Sequence, residues 1–173
     1  MNFPAPSSFC AEISRQHDEP MVGTAVHAPV WFLLEYDAAW QTTHLGGHRF
    51  APTLVTFPDG VSYGRVTSAD IQDLLTSQQD GRLLLPHLWR GRVNFPPPAQ
   101  AAAYFWRQET GWLALADLQL AGVDEITAEK WRVGLTAVPE NELIEIDITS
   151  ELFPVYASCG AVQPKTAVQF LRG

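Results

Sequence analysis

The chain has 173 residues, of which 46% are hydrophobic and 17% are charged, and its formal net charge is −8. This length and composition predict one ordinary globular domain, residues 1–173, that is large enough to form a hydrophobic core. Because the sequence pI is about 5.0, binding to nucleic acid or to an anionic membrane surface is not expected. The eleven basic residues are scattered, and the densest group is Arg82, Arg90 and Arg92.

Cysteine usage and the absence of a targeting signal favour a cytoplasmic protein. Cys10 and Cys159 are the two cysteines of the chain, so at most one intrachain disulfide is possible. A secreted protein of this size would more often carry several disulfides. The N-terminal residues lack the basic and apolar regions of a signal peptide. No apolar run approaches the roughly 20 residues that a membrane-spanning helix needs.

Strands are predicted first in the N-terminal half. Residues 30–36 form a continuous apolar run that ends in charge, which is typical of a buried strand. Residues 53–57 and 61–66 flank Pro58-Asp59-Gly60, and this pattern predicts a hairpin.

Two helices are predicted from capping signals. Thr67 or Ser68 is expected to cap the first helix, which runs to about Gln78. Residues 96–98 are prolines that lead into the second helix, predicted over residues 99–109, because proline is tolerated in the first turn of a helix.

The C-terminal third is predicted to be rich in strands. Residues 112–120 are ambiguous between helix and strand, whereas residues 131–138 and 143–148 are expected to be strands. Within residues 143–148 the apolar and acidic side chains alternate, which predicts one buried and one solvated face. Short edge strands are predicted at 155–157 and 167–171. The fold class is therefore α+β, with a mostly antiparallel sheet and two to three helices.

Two histidines four residues apart are the most informative local feature. His44 and His48 enclose Gly46 and Gly47, and adjacent glycines disfavour a helix by about 1 kcal/mol each. We therefore predict a tight loop in which the glycines free the backbone so that both imidazoles converge. Such a loop would either hold a metal centre or form a buried turn with hydrogen-bonded histidines.

Several sequence runs resemble the sucrase/ferredoxin-like family. The clearest is H-L-G-G-H-R-F-A-P followed by P-D-G-V-x-Y-G-R, at residues 44–52 and 58–65. Similar runs occur, in the family's order, at residues 9–11, 19–25, 31–36, 89–92 and 95–102. The resemblance implies a domain related to the thioredoxin-like ferredoxins and a role in electron transfer. Residues 1–43 would be the N-terminal family segment and residues 44–173 the remainder of the ferredoxin-like part.

The chain departs from the family in its cysteines. The resemblance implies a [2Fe–2S] cluster held by a closely spaced cysteine pair and by the two histidines, His44 and His48. Family members carry that pair in a long segment before the histidine loop, but here only residues 41–43 separate Trp40 from His44. The cysteine-pair segment is therefore absent, and the implied set of ligands is halved.

Three outcomes follow for the cluster. In the first, Cys10 and Cys159 complete the site within one chain, which is feasible because the termini of a compact domain often lie close together. Alternatively, a second subunit or a partner protein supplies the thiolates. In the third case the cluster is lost and the histidines survive as a structural turn. The same four side chains would also suit a structural Zn²⁺ site.

A cluster-free binding or scaffold protein is the main alternative to an electron carrier. Loss of the cysteine segment would leave an open sheet edge, so a homodimer through that edge is expected. No nucleophile motif or phosphate-binding loop is present, so a hydrolase is not predicted. Arg90 and Arg92 would either contact an anion or partner or form surface salt bridges.

Overall fold

The computed structural model of the chain describes residues 8–12, 39–42, 45, 50–84, 87–138, 140–156 and 162–173. The chain divides into two compact units, which we call the N-terminal unit, Met1–Arg90, and the C-terminal unit, Gly91–Gly173. The length of the chain predicted a single domain, and the division into two units does not test that prediction. Among the described residues, no helix has the length and apolar character required to cross a membrane.

A five-stranded sheet organises the N-terminal unit. Its strands are β1 (Ser8–Glu12), β2 (Ala39–Thr42), β3 (Thr53–Phe57), β4 (Val61–Gly64) and β5 (Trp89–Arg92), and the last of these continues into the C-terminal unit. The spatial order is β2-β1-β3-β4-β5. Strand β1 is parallel to β2 and antiparallel to β3, and β3 is antiparallel to β4.

The core of the N-terminal unit is formed by strands β3 and β4, the helix that follows them and the segment before β5. Residues 53–56 are all buried, so β3 is covered on both faces. Helix α1 (Ile71–Gln79) buries one side, at positions three or four residues apart. The buried apolar side chains are those of Leu54, Val55, Val61, Tyr63, Val66, Ile71, Leu74, Leu75, Leu83, Leu84, Leu88 and Trp89.

The predicted hairpin is confirmed, whereas the start of the first helix is wrong by a few residues. Strand β3 occupies residues 53–57 as predicted, although β4 ends at Gly64. Helix α1 begins at Ile71, with Asp70 at its N-cap. The Asp70 carboxylate accepts hydrogen bonds from the backbone N and Oγ1 of Thr67, at 2.8 and 2.6 Å. Thr67 therefore closes a turn that precedes the helix. The strand predicted at 30–36 lies outside the described residues.

The C-terminal unit is an antiparallel sheet with one helix packed on it. Helix α2 (Pro97–Thr110) is followed by β6 (Leu118–Thr127), β7 (Lys130–Ala137), β8 (Glu142–Val155) and β9 (Lys165–Arg172), in the spatial order β6-β7-β8-β9. The helix contacts all four strands. The buried side chains of the sheet include those of Leu118, Val133, Leu135, Ala137, Ile146 and Ile148.

Helix α2 ends for reasons that are visible in its last turn. Gly111 adopts a left-handed conformation with φ of 69°, and its N–H donates to the carbonyl of Arg107. The Arg107 side chain is buried, and its Nη1 donates to the carbonyls of Trp112 and Ala114, both at 2.9 Å. A buried guanidinium therefore holds the chain as it leaves the helix.

The sequence pattern of the C-terminal unit predicted its elements but not their lengths. The alternation at 143–148 is confirmed, because Ile146 and Ile148 are buried while the acidic side chains lie on the opposite face. Strand β8 continues to Val155, and β6 forms from a region that was partly ambiguous. The described part of the chain thus has mostly antiparallel sheets and two α-helices, which confirms the predicted α+β class.

The solvated face of this sheet carries an ion-pair network around Asp147. Its Oδ1 accepts from Arg132 Nε at 2.9 Å, and Lys130 Nζ lies 3.0 Å from its Oδ2. The hydrogen bond from Arg132, followed by that from Lys130, lowers the pKa of Asp147 from 3.8 to about 2. A carboxylate whose pKa is lowered by folding stabilises the protein above its unfolded pKa of about 3.9.

We expect the contribution of Asp147 to be lost as the pH falls through about 2. Asp147→Asn removes the titrating carboxylate but keeps the shape of the side chain. The difference in free energy of unfolding between wild type and variant should therefore be constant above pH 4 and shrink between pH 4 and pH 2. Urea unfolding at several pH values measures it, and parallel curves for the two proteins would contradict the assignment.

Candidate functional site

The predicted ligands fall mostly outside the described residues. His44, Gly46, Gly47, His48 and Cys159 lie outside them. Cys10 is the exception, because it lies in strand β1. Within the described ranges, no group of three or more His, Cys, Asp or Glu side chains is placed to hold a metal ion.

Residues 43–52, which we call the histidine segment, lie between strands β2 and β3 in the sequence. These two strands meet at one end of the N-terminal sheet. Glu12, the last residue of β1, is in register with Thr42 at the end of β2. The same Glu12 is in register with Thr53 at the start of β3. Strand β1 lies between β2 and β3, so residues 43–52 connect two strands that flank β1. Both anchors of the histidine segment are therefore at the carboxyl end of β1.

Cys10 lies in β1, close to the end of that strand which is paired with both anchors. It precedes Glu12 by two residues and is in register with Trp40 on one side and Val55 on the other. A rise of about 3.3 Å per residue puts the Cα atoms of Cys10 and Glu12 about 7 Å apart. His44 follows Thr42 by two residues, and this spacing also limits their Cα separation to about 7 Å. The topology thus places Cys10 two residues from the strand end beside which the histidine segment begins and ends.

The chain that follows the histidines is hydrogen-bonded to the end of the β3–β4 hairpin. The carbonyl of Phe50 accepts from the N–H of Arg65 at 2.6 Å, and the carbonyl of Pro52 accepts from that of Val66 at 3.3 Å. Arg65 has a φ of 61°, a left-handed conformation that is uncommon outside glycine. This backbone geometry joins the exit of the histidine segment to the end of strand β4.

Two guanidinium groups lie against the ring of Phe50. The Cζ atom of Arg90 is 4.2 Å from the ring centroid, and that of Arg65 is 5.7 Å from it. Both distances are within the range of a cation–π interaction. Gly64 permits this packing, since a Cβ atom there would lie 2.9 Å from Phe50 Cβ and 3.0 Å from Arg90 Nε.

Sequence reasoning missed Phe50 and Arg65. Arg90 was singled out only with Arg92, as an anion contact or as a member of surface salt bridges. In the structure, Arg92 lies over the ring of Phe95 at 5.5 Å, within the C-terminal unit. Both arginines of the W-R-G-R run therefore contact phenylalanine rings. No local pattern predicts the pairing of Arg65 and Arg90 with Phe50, because these residues come from different parts of the chain.

The W-R-G-R run is also held from within the C-terminal unit. Gln100 of helix α2 donates from Nε2 to the carbonyls of Arg92 and Phe95, at 3.1 and 2.8 Å. Gly91 has a φ of 115°, and a Cβ atom there would meet the Gln100 side chain at 2.7 Å. The glutamine of the segment P-P-P-A-Q-A-A therefore acts as a clamp on the chain just before its own helix.

The side-chain types of His44, His48 and Cys10, imidazole and thiol, suit an iron–sulfur cluster. Imidazole and thiolate are both known ligands of [2Fe–2S] centres. The sheet register places Cys10 near Thr42 and Thr53, the residues between which the segment with His44 and His48 lies in the sequence. A fourth ligand would be a second thiolate, and the other cysteine of the chain is Cys159.

The comparison with family models agrees with the resemblance seen in the sequence motifs. Residues 11–91 match the family model described as Sucrase/ferredoxin-like. The chain is similar to a crystal structure of the wild-type thioredoxin-like [2Fe-2S] ferredoxin from Aquifex aeolicus, with 17% identity and a TM-score of 0.43, over 50% of this chain and 97% of that one. A second structure of such a ferredoxin from Aquifex aeolicus has 18% identity and a TM-score of 0.44, over 53% of this chain and 94% of that one. No curated protein matches.

Proposed function

Because residues 11–91 match the sucrase/ferredoxin-like family model, we propose that the protein is a one-electron carrier with a [2Fe–2S] site at the histidine segment. His44 and His48 would hold the cluster together with Cys10, and Gly46 and Gly47 would shape the loop between the histidines. The observation that carries the proposal is the register of Glu12 with both Thr42 and Thr53. It ties the histidine segment to the end of the strand that contains Cys10.

Each ligand type would have a defined effect on the site. The bound cluster would store a single electron. Neutral imidazoles in place of two thiolates leave the site less negative, which raises its reduction potential relative to an all-cysteine site. The second nitrogen of each imidazole is available to a hydrogen-bond partner, which would orient the ring.

The fourth ligand and the partners complete the proposal. Cys159 would supply the second thiolate within the chain, and a second subunit or partner protein is the alternative source. We place the carrier in the cytoplasm, since two cysteines and no disulfide framework suit a reducing compartment. Its partner would be a redox protein, since an electron carrier must exchange electrons with one. The negative net charge disfavours nucleic acid and membrane surfaces as partners.

The first test is a visible absorption spectrum of anaerobically purified protein, with iron, zinc and acid-labile sulfide assayed on the same sample. We expect bands between about 400 and 600 nm and equal amounts of iron and sulfide. His48→Ala should lose both, whereas His87→Ala is the matched control and should keep them, since His87 is exposed and outside the motif. A sample with zinc alone would instead identify a structural zinc site.

A cluster-free binding protein is the second candidate, and one surface feature favours it. Leu152 of β8 and Val168 of β9 are cross-strand partners that are 71% and 46% exposed. They lie on the sheet face that buries Ile146 and Ile148, and β9 is an edge strand. A homodimer through this hairpin would cover them. A colourless, metal-free protein with twice the chain mass would support this candidate over the electron carrier.

A further inference from the structure

We infer that Arg65 and Arg90, held on the ring of Phe50, set the electrostatic potential at the histidine site and raise its reduction potential. The inference rests on the proposed function, because it concerns the same site. It assigns a role to two residues that are not ligands. Both would act through space and not by contact with the bound group.

The fold places both arginines beside the ring of Phe50. Arg90 lies 4.2 Å from the Phe50 ring centroid and is half-buried, so its charge is less screened than that of a solvent-exposed arginine. Arg65 is exposed, but its backbone N–H is bonded to the Phe50 carbonyl at 2.6 Å. The absence of a side chain at Gly64 lets the ring and Arg90 approach each other. These contacts favour one arrangement of two positive charges around one ring.

The short chain separation connects these charges with the histidine site. Phe50 follows His48 by two residues, so their Cα atoms are at most about 7 Å apart. Whatever ligands complete the site, the uptake of one electron makes it more negative by one unit. Nearby positive charges stabilise that reduced state more than the oxidised state, and the effect is larger where water is partly excluded. Arg65 and Arg90 should therefore raise the reduction potential.

The distribution of charge in the N-terminal unit strengthens the argument. Residues 1–90 contain five arginines and nine acidic residues, so this unit has a formal charge of −4. Three of the five arginines adjoin Phe50 by contact or by sequence, namely Arg49, Arg65 and Arg90. Most arginines of this acidic unit thus lie beside the histidine segment, where Glu12 at the end of β1 is the acidic residue in register with both anchors.

The test is a charge series at Arg65, because an exposed side chain can be changed with little effect on folding. Lys, Gln and Glu at this position change the local charge in steps, from retained to neutral to reversed. Arg90→Gln and the double Gln variant extend the series. The same three substitutions at Arg82, an exposed arginine that follows helix α1, form the matched control. The midpoint potential is measured by redox titration with the visible bands as the signal, and iron content is assayed on every sample.

We expect the potential to fall in the order Lys, Gln, Glu at Arg65, and to fall further in the double Gln variant. The Arg82 series should shift it less at every step. If all variants contain equal iron and their midpoint potentials do not change with the charge at Arg65, this inference is overturned. The proposed electron carrier would not be affected by that result. If Arg90→Gln loses its iron, the Arg65 series still decides the inference. A wild-type protein that takes up no iron would overturn the proposed function, and this inference would fall with it.

Discussion

Cys10→Ser is expected to remove the iron and the visible absorption of the purified protein completely. Serine preserves the size of the side chain, and the backbone of β1 is paired on both sides, so the strand should persist. The hydroxyl is not a thiolate and is a far weaker ligand for iron. Iron, sulfide and the absorption spectrum are measured as for the wild type, together with circular dichroism to confirm that the fold is retained.

Cys159→Ser separates the possible sources of the second thiolate. If the site is completed within one chain, this variant should also lose its iron. If a second subunit or a partner supplies the thiolate, Cys159→Ser should keep its iron, and the cluster should then depend on protein concentration or on the partner. A Cys10→Ser protein with full iron and native spectrum would remove Cys10 from the site and with it the argument from the strand register.

Gly91→Ala is expected to cause a large loss of stability, although it adds a single methyl group. At a φ of 115° an L-residue is strained by roughly 1–3 kcal/mol. The added Cβ atom would also lie 2.7 Å from Gln100 Oε1, so the glutamine must move. Its two hydrogen bonds, to the carbonyls of Arg92 and Phe95, contribute about 0.5–1.5 kcal/mol each. We therefore expect a loss of about 2–6 kcal/mol.

Urea unfolding of wild type and variant measures this loss of stability. Gly122→Ala is the matched control, because Gly122 lies in strand β6 of the same unit and a Cβ atom there would meet nothing within 4 Å. That control should change the free energy of unfolding by less than about 1 kcal/mol. Equal effects of the two substitutions would show that neither the backbone angle of Gly91 nor the Gln100 clamp matters.

Local signals in the sequence predicted most of the regular elements. These signals act over a few residues, and the structure confirms each of them. They are the Pro58-Asp59-Gly60 turn, the prolines at the start of helix α2 and Gly111 after it. The alternation in β8 likewise depends only on neighbouring residues. The start of α1 was wrong because Thr67 bonds to the Asp70 carboxylate in a turn that precedes the helix, which begins only at Ile71. The length of β8 was missed because its extension depends on pairing with β9.

The sequence by itself indicated a resemblance to the sucrase/ferredoxin-like family, which the family-model match over residues 11–91 supports, and it gave His44 and His48 as the candidate ligands. Only the tertiary structure decided that Cys10 lies two residues from the strand end at which the histidine segment is anchored, because strand register is set by partners far apart in the chain. It also decided that Arg65 and Arg90 share the ring of Phe50. Such contacts are selected by packing and charge between distant segments, and no local pattern of residues specifies them.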